Sequence, residues 1–320
     1  MINCYQKLLV FSAALLATAP FVAAQKTYHH QLTVVSDNDN YTLKKKDRYY
    51  TNGLTFQFSK LIKEGSAEKS KKIWMLEVGH KIFNPYKQNK HFKETMDRPF
   101  TGLLYVKTEA TYITPAENVF RWSALAGLIG KAAFGKEVQQ WHHHNFGLPA
   151  PQGWETQLKT EPGMNVQAAY YQHLLPVKEK RIVDAGVKAD LTMGTLYTGM
   201  SSGLVFKLGA FEKAANSAHW NARLHHSQPV YQRNFEFYFY FEPSITYQLF
   251  NATVQGGLFT RKKDEYTTAI EPIFYSHSFG AVYAKDRWTT QLAFTYKTRE
   301  ATTMRANENY GSIGISYRFN

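Results

Sequence analysis

Residues 36–40 of this sequence, SDNDN, place four side chains with carboxylate or amide oxygens next to one another. Oxygen donors of this kind are the ligands that hard cations such as Ca²⁺ prefer in proteins. Asn38 and Asp39 are therefore candidate metal ligands. The competing interpretation is an ordinary turn that faces water, because Asn and Asp favour turns.

A second stretch with chemical potential, GKEVQQWHHHNFG, occupies residues 135–147. Gln139 and His143 are four residues apart, so a short helix over 135–144 would place both on one face. A neutral histidine can take a proton from water and has an ordinary pKa suited to general-base catalysis. His142 and His144 remain alternatives to His143. The competing interpretation of the whole run is that its histidines are exposed to solvent or form a weak metal site, which is the more common case.

Motifs of other reaction types do not fit the sequence. The one Gly-x-Ser-x-Gly match, residues 199–203, lies within a predicted strand and not at the strand-to-helix turn that a serine hydrolase requires. An EF-hand would need oxygen donors where Tyr41 and Arg48 stand. A base and a possible cation site without an obvious nucleophile favour direct attack by water.

The first 24 residues have the pattern of a secretory signal peptide. Lys7 precedes a short apolar run, and small residues precede Gln25. A membrane anchor is the alternative, but the run is short and contains Pro20. The only cysteine, Cys4, lies within this segment, so we expect no disulfide in residues 25–320. We predict that residues 25–320 form one domain, because no linker divides them.

Alternation of apolar and polar residues predicts the architecture. In residues 50–59, Leu54, Phe56 and Phe58 share one parity, whereas Thr51 and Gln57 lie on the other. A soluble β-sandwich could bury such faces, but long strands with aromatic ends and charged opposite faces are typical of a membrane barrel. We therefore predict an all-β fold, a 12-stranded antiparallel transmembrane β-barrel with a short helix in an extracellular loop. The strands are expected near 29–36, 50–59, 72–82, 99–111, 118–130, 162–175, 180–193, 196–210, 233–249, 268–284, 287–298 and 309–319, with 251–260 as loop or strand extension.

Strand parity assigns the connections to the two sides of the membrane. If the N-terminus lies in the periplasm, segments 37–49, 83–98 and 131–161 meet at the cell exterior. Thr51 lies just below these segments and has the parity of the residues that are predicted to face the lumen. The formal net charge of +13 points to an anionic partner. Export argues against nucleic acid, and no obligate protein partner is evident. We expect the outer membrane of a Gram-negative bacterium, where lipopolysaccharide and other membrane lipids are the available partners.

Five segments, taken in order, resemble a known family. SDND, DRYYTNGL, FNPYKQNK, DRPF and GKEVQQWHH are similar to the outer-membrane lipid A 3′-O-deacylases of the LpxR type over residues 30–147. The resemblance implies a 12-stranded barrel that removes the 3′-linked acyloxyacyl chain of lipid A in a Ca²⁺-dependent reaction. It also implies the site residues, with His143 as the base: Asn38, Asp39, Thr51, Lys90, Gln139 and His143.

The sequence departs from the family pattern at one point and leaves other functions open. Residues 131–133, Lys-Ala-Ala, stand where an acidic residue is expected after the glycine that ends strand five. A porin or structural barrel would explain the alternation and charge equally well. A phospholipase-type barrel would need a serine paired with histidine, and no such pair is identifiable. Lys90, with residues 44–46, would attract lipid A phosphates in the deacylase interpretation.

Overall fold

The computed structural model describes residues 27–42, 47–65, 70–86, 96–178, 180–227, 231–259 and 264–320. Twelve antiparallel strands form a closed barrel in which β1 pairs with both β2 and β12, as the sequence predicts. The predicted signal peptide lies outside the described residues. The strands are β1 (His30–Asn38), β2 (Tyr49–Glu64), β3 (Lys71–Asn84), β4 (Thr101–Ile113), β5 (Val119–Ile129), β6 (Glu161–His173), β7 (Val183–Gly194), β8 (Tyr197–Ala210), β9 (Glu236–Asn251), β10 (Ile273–Lys285), β11 (Trp288–Lys297) and β12 (Glu308–Phe319).

Within the described ranges, two α-helices lie in connections at one end of the barrel, which we call the loop end. They are α1 (Gly135–Phe146), in the region of the predicted helix, and α2 (Ala252–Gln255), in the region predicted to be loop or strand extension. The opposite end, which holds His30 and Phe319, is the terminal end. Strand β10 begins later than predicted, because Ile270 instead forms an isolated bridge with Ala301 of the connection between β11 and β12.

The outer face of the barrel is apolar because alternate residues of each strand point outward. On β2, Leu54 and Phe56 are exposed, and on β3, Leu76 and Val78 are exposed. Exposing such a continuous apolar band to water would be unfavourable, whereas contact with acyl chains is not. The predicted division into an apolar outer face and a polar inner face is confirmed.

The inward-facing residues form hydrogen-bonded ion pairs. Glu77 accepts hydrogen bonds from Gln57 and Tyr105, both at 2.9 Å, and lies 3.3 Å from Lys107 Nζ. Nearer the terminal end, Lys207 Nζ is 2.7 Å from Asp184 Oδ2. Burying charges is costly unless they are paired, so these contacts make a polar interior compatible with a folded barrel.

A connection between β8 and β9 folds back into the barrel at the terminal end. We call its described residues, 211–227 and 231–235, the plug. Its residues contact strands on several sides: Lys71 Nζ donates to Ala222 O at 2.8 Å, and Gln31 Nε2 donates to Asn221 Oδ1 at 2.9 Å. Arg223 is buried and pairs with Glu236 at 3.1 Å. These contacts hold the plug across the lumen.

The lumen is also filled at the loop end. Arg98 is fully buried, donates to Glu300 at 2.7 Å and contacts Thr253 of α2. Ala252 of the same helix packs in a buried cluster with inward-facing residues such as Leu103. Between this layer and the plug lies a chamber of about 210 Å³. The described residues thus fill both ends of the barrel interior.

Helix α1 lies against the outer wall at the loop end. Gly102 has outward parity on β4, and a Cβ added there would lie 3.0 Å from Gly135 N, so glycine permits this close approach. His80 Nε2, on the outward face of β3, donates to Ala133 O at 2.6 Å. The helix ends at Gly147, whose positive φ of 66° suits glycine. No helix in the described ranges is long and apolar enough to cross a bilayer.

The plug generates a stability prediction. Arg223→Ala leaves the buried Glu236 carboxylate without its cationic partner, which costs about 3–5 kcal/mol when one member of a buried pair is removed. The detergent-folded variant should lose its compact gel mobility at a lower temperature than the parent. Ser227→Ala, at an exposed position of the plug, is the control and should melt with the parent. Equal melting of Arg223→Ala and the parent would show that the pair does not hold the plug.

Candidate active site

Helix α1 brings two predicted site residues together. Gln139 and His143 are both buried against the barrel wall, which confirms that they share one helical face. His142 is half-buried and His144 is exposed. Of the three consecutive histidines, His143 is thus the one whose ring is enclosed by the wall.

A small cavity separates α1 from the outer wall. Its volume is about 10 Å³, and so it has room for about one water molecule. The cavity opens on the lipid-facing side, because Asn38, Asn52 and Ile82 have outward parity on β1, β2 and β3. Its lining combines strand, loop and helix residues: Asn38, Asp47, Thr51, Asn52, Ile82, Val138, Gln139, His142 and His143.

The placement of Thr51 corrects the prediction that it faces the lumen. The pairing of β2 with β3 shifts between Tyr50 and Asn52, so Thr51 is the extra residue of a β-bulge. A bulge interrupts the alternation of faces, and Thr51 lines the outer cavity. Its hydroxyl is 3.5 Å from Tyr49 O, too far for a strong hydrogen bond, and so can turn toward another partner.

Both ring nitrogens of His143 contact acceptors. Nε2 donates to Asp47 Oδ2 at 2.7 Å, and Nδ1 donates to the carbonyl oxygen of Pro149 at 2.5 Å. The Pro149 carbonyl and an ionised Asp47 carboxylate can only accept hydrogen bonds, so both ring nitrogens must carry a proton to donate to them. This arrangement therefore favours the imidazolium form of His143. The hydrogen bond to Asp47 accordingly raises the pKa of His143, although burial opposes this shift.

Asp47 is the site residue that sequence reasoning missed. It comes from the connection between β1 and β2, and its Oδ2 also accepts from Gln139 Nε2 at 3.0 Å. Trp154 Nε1 donates in turn to Gln139 Oε1 at 2.7 Å, which fixes the orientation of the amide. Burial favours a neutral Asp47, but the hydrogen bonds from His143 and Gln139 and the positive charge of His143 together outweigh burial and lower the pKa of Asp47. The carboxylate beside His143 thus comes from this connection.

Asn38 and Asp39 provide oxygens beside the cavity. Asp39 is buried, and its Oδ2 accepts from Arg48 N at 2.9 Å, whereas its Oδ1 has no hydrogen-bond partner in the described part of the chain. Burial raises the pKa of Asp39 to about 9. The amide oxygen of Asn38 accepts from Asn40 N at 2.7 Å and keeps a second lone pair.

These donors fit a hard cation. An unpartnered carboxylate oxygen in a buried position is costly, and a cation beside it would favour the ionised form. The described residues contain no group of three His, Cys, Asp or Glu side chains placed to hold a metal. Ca²⁺ takes six to eight oxygens, so Asn38 and Asp39 would be joined by backbone, water or substrate oxygens.

The remaining predicted residue, Lys90, lies outside the described residues, as do the lysines at 44–46. In the described part of the same β1–β2 connection, Arg48 places its guanidinium 5.1 Å from the ring centroid of Tyr86. The role of Lys90 remains a prediction from the sequence.

Comparison with known proteins gives one family and several barrels. The profile of a family described as "Outer membrane protein LpxR" matches residues 9–319. LpxR from Salmonella typhimurium has a TM-score of 0.71 and 20% identity, over 90% of this chain and 100% of that chain. No curated protein sequence matches the chain.

Two autotransporter domains are also similar in structure. The β domain of the Bordetella autotransporter BrkA has a TM-score of 0.49 and 9% identity, over 91% of this chain and 99% of that chain. The translocator domain of NalP from Neisseria meningitidis has a TM-score of 0.45 and 11% identity, over 98% and 94% of the two chains.

The contact between Asp47 and His143 predicts the titration of the ring. Asp47→Asn removes the negative charge that stabilises the imidazolium, so the pKa of His143 should fall. Histidine NMR in detergent micelles, with the His143 signal assigned by its loss in His143→Gln, measures this midpoint. Glu137→Gln, at an exposed position of α1, should leave it unchanged. An unchanged midpoint in Asp47→Asn would contradict the paired geometry.

Proposed function

The chain belongs to the LpxR family of outer-membrane proteins, and from this premise we propose that it hydrolyses the ester of the 3′-linked acyloxyacyl chain of lipid A. The observation that carries the proposal is the position of the cavity on the outer wall. A cavity in the lumen would be reached only through the filled interior, whereas a lipid can approach the outer wall by diffusing within its leaflet. The site is therefore accessible to a membrane lipid.

His143 is the proposed general base. The cavity has room for a water molecule beside the ring, and the Pro149 carbonyl holds Nδ1–H, which leaves Nε2 as the nitrogen directed toward Asp47 and the cavity. In the neutral form the ring proton stays on Nδ1, so Nε2 no longer donates to Asp47, and its lone pair would take a proton from water as the water oxygen attacks the ester carbonyl carbon. When the tetrahedral intermediate collapses, the 3′ oxygen of lipid A leaves and receives that proton from His143.

Asp47 and Gln139 orient the base. The hydrogen bonds from Trp154 to Gln139 and from Gln139 to Asp47 fix the carboxylate, and the carboxylate fixes the imidazole. Asp47 also stabilises the imidazolium that forms as water loses its proton, because Nε2–H then donates to it. In a catalytic triad the acidic residue instead accepts from the ring nitrogen that does not take the proton. Because the base must start neutral, activity should rise with pH through the raised pKa of His143.

The developing negative charge on the carbonyl oxygen requires positive or hydrogen-bonding groups. When bound by Asn38 and Asp39, Ca²⁺ would supply positive charge beside that oxygen. The Thr51 hydroxyl lines the same cavity and can donate to the substrate. Lys90, placed in the site by family resemblance, would contribute charge for the substrate phosphates.

The filled interior disfavours the porin alternative. Porins conduct because their lumen is a continuous water channel. Here the plug contacts strands on several sides, and Arg98, Glu300 and α2 fill the opposite end. The polar residues inside the barrel are thus explained by paired structural contacts, whereas those on the outer wall remain available for chemistry.

The assignment of the base generates the first functional prediction. His143→Ala should fold normally but remove the acyloxyacyl chain about 10²–10⁴-fold more slowly, the usual effect of losing a general base. Mass spectrometry of lipid A over a time course measures the rate. His144→Ala is the matched control, because its ring is exposed on the same helix, and it should retain most activity. His142→Ala should also retain much of it. Release at the parent rate by His143→Ala would exclude this base.

The proposed role of Asp39 as a calcium ligand generates the second functional prediction. Asp39→Asn removes a carboxylate charge with little change of shape, so the variant should need a higher Ca²⁺ concentration for half-maximal activity. Excess chelator should stop the parent. Asp37→Asn makes the same charge change on the lumen side, where Asp37 accepts from Tyr50, and should leave the calcium requirement unchanged. Full activity of the parent in excess chelator would eliminate the calcium proposal.

A further inference from the structure

Helix α1 has an apolar surface on the side opposite the cavity. Trp141 is 66% exposed and is turned by about 160° from His143 around the helix axis. Phe134, which precedes the helix, and Leu148, which follows it, are 55% and 39% exposed. We call Phe134, Trp141 and Leu148 the apolar stripe. Such a large exposed apolar surface beside the buried site requires a partner.

The apolar stripe adjoins the lipid-facing band of the barrel. The contacts of Gly102 and His80 seat the start of α1 on outward positions of β4 and β3. The next uncovered outward positions toward the middle of the barrel are apolar and exposed: Val78 on β3 and Val106 on β4 are 43% and 48% exposed. The stripe therefore continues a surface that acyl chains already cover in an outer-membrane protein.

A polar sector borders the stripe. Glu137, Gln140 and His144 are exposed and lie to one side of Trp141 around the helix. Asn145 is exposed on the other side of Trp141, so Trp141 forms a narrow apolar stripe between polar residues, and Phe134 and Leu148 extend the stripe at the two ends of the helix. A helix with adjacent apolar and polar exposed sectors, and with tryptophan in the apolar one, suits a membrane interface.

We propose that α1 is an interfacial helix whose apolar stripe lies in the acyl chains of the outer leaflet, with Glu137, Gln140 and His144 toward the headgroups. This position would hold the cavity near the boundary between headgroups and acyl chains, where the ester bonds of a lipid lie. The proposal goes beyond hydrolysis, because the placement of α1 in the leaflet does not depend on whether His143 cleaves an ester.

Spin labelling tests the placement of α1 in a membrane. In a Cys4→Ser background, which removes the only cysteine, a nitroxide is attached to Trp141→Cys or to Gln140→Cys. Val78→Cys provides the lipid-facing reference. Each protein is reconstituted in phosphatidylethanolamine–phosphatidylglycerol vesicles containing lipopolysaccharide. Collision rates with oxygen, which concentrates in acyl chains, and with a water-soluble nickel complex are then measured.

We expect the label at 141 to collide mainly with oxygen, like the label at 78, and the label at 140 to collide mainly with nickel. Nickel accessibility at 141 equal to that at 140 would overturn the proposal in favour of an aqueous helix. Shielding of 141 from both reagents would overturn it in favour of a protein partner. Phe134→Cys and Glu137→Cys form an independent pair with the same expectations, should the first pair fail to fold.

Discussion

Acyl chains offer no hydrogen bonds, so any polar group on the outer face of a membrane barrel must be paired within the protein or lie beyond the hydrocarbon. The structure follows this constraint along its strands, where outward residues such as Phe56 and Val78 are apolar. The cavity residues Asn38 and Asn52 break the pattern at the loop end. They are tolerated there because α1 covers that part of the wall and encloses their polar groups. The helix that carries the proposed base therefore also makes a polar site possible on an outer surface.

The same covering fixes the geometry of the site. A chain of hydrogen bonds runs from Trp154 through Gln139 and Asp47 to His143, and the ring ends on the Pro149 carbonyl. Each member is held by at least two partners, so the ring has little freedom to leave the cavity. Such a network orients a base without a covalent nucleophile. The filled lumen contributes separately, because its ion pairs make the wall rigid and leave no open channel through the described residues.

Much of the barrel was predictable because the period of a strand is two, and apolar alternation shows both the strands and their faces. The spacing of Gln139 and His143 likewise predicted the helical face. Asp47 was not predictable, because its partner Gln139 is 92 residues away and no local pattern marks that contact. Thr51 was assigned to the wrong side because a bulge interrupts alternation without a sequence signal of its own. The plug was missed for a similar reason, since its residues have no periodicity and are ordered by long-range pairs such as Arg223 with Glu236.

The central claim is that a water molecule attacks the carbonyl carbon of an acyl ester on lipid A at the outer wall. The most direct measurement is a reaction of the purified parent protein with lipid A in water enriched in ¹⁸O, followed by mass spectrometry of both products. Attack at the carbonyl should release an acyloxyacyl acid that carries one ¹⁸O in its carboxyl group and leave the sugar 3′ oxygen unlabelled. Label on the sugar, or lipid A that remains fully acylated with calcium present, would contradict the account.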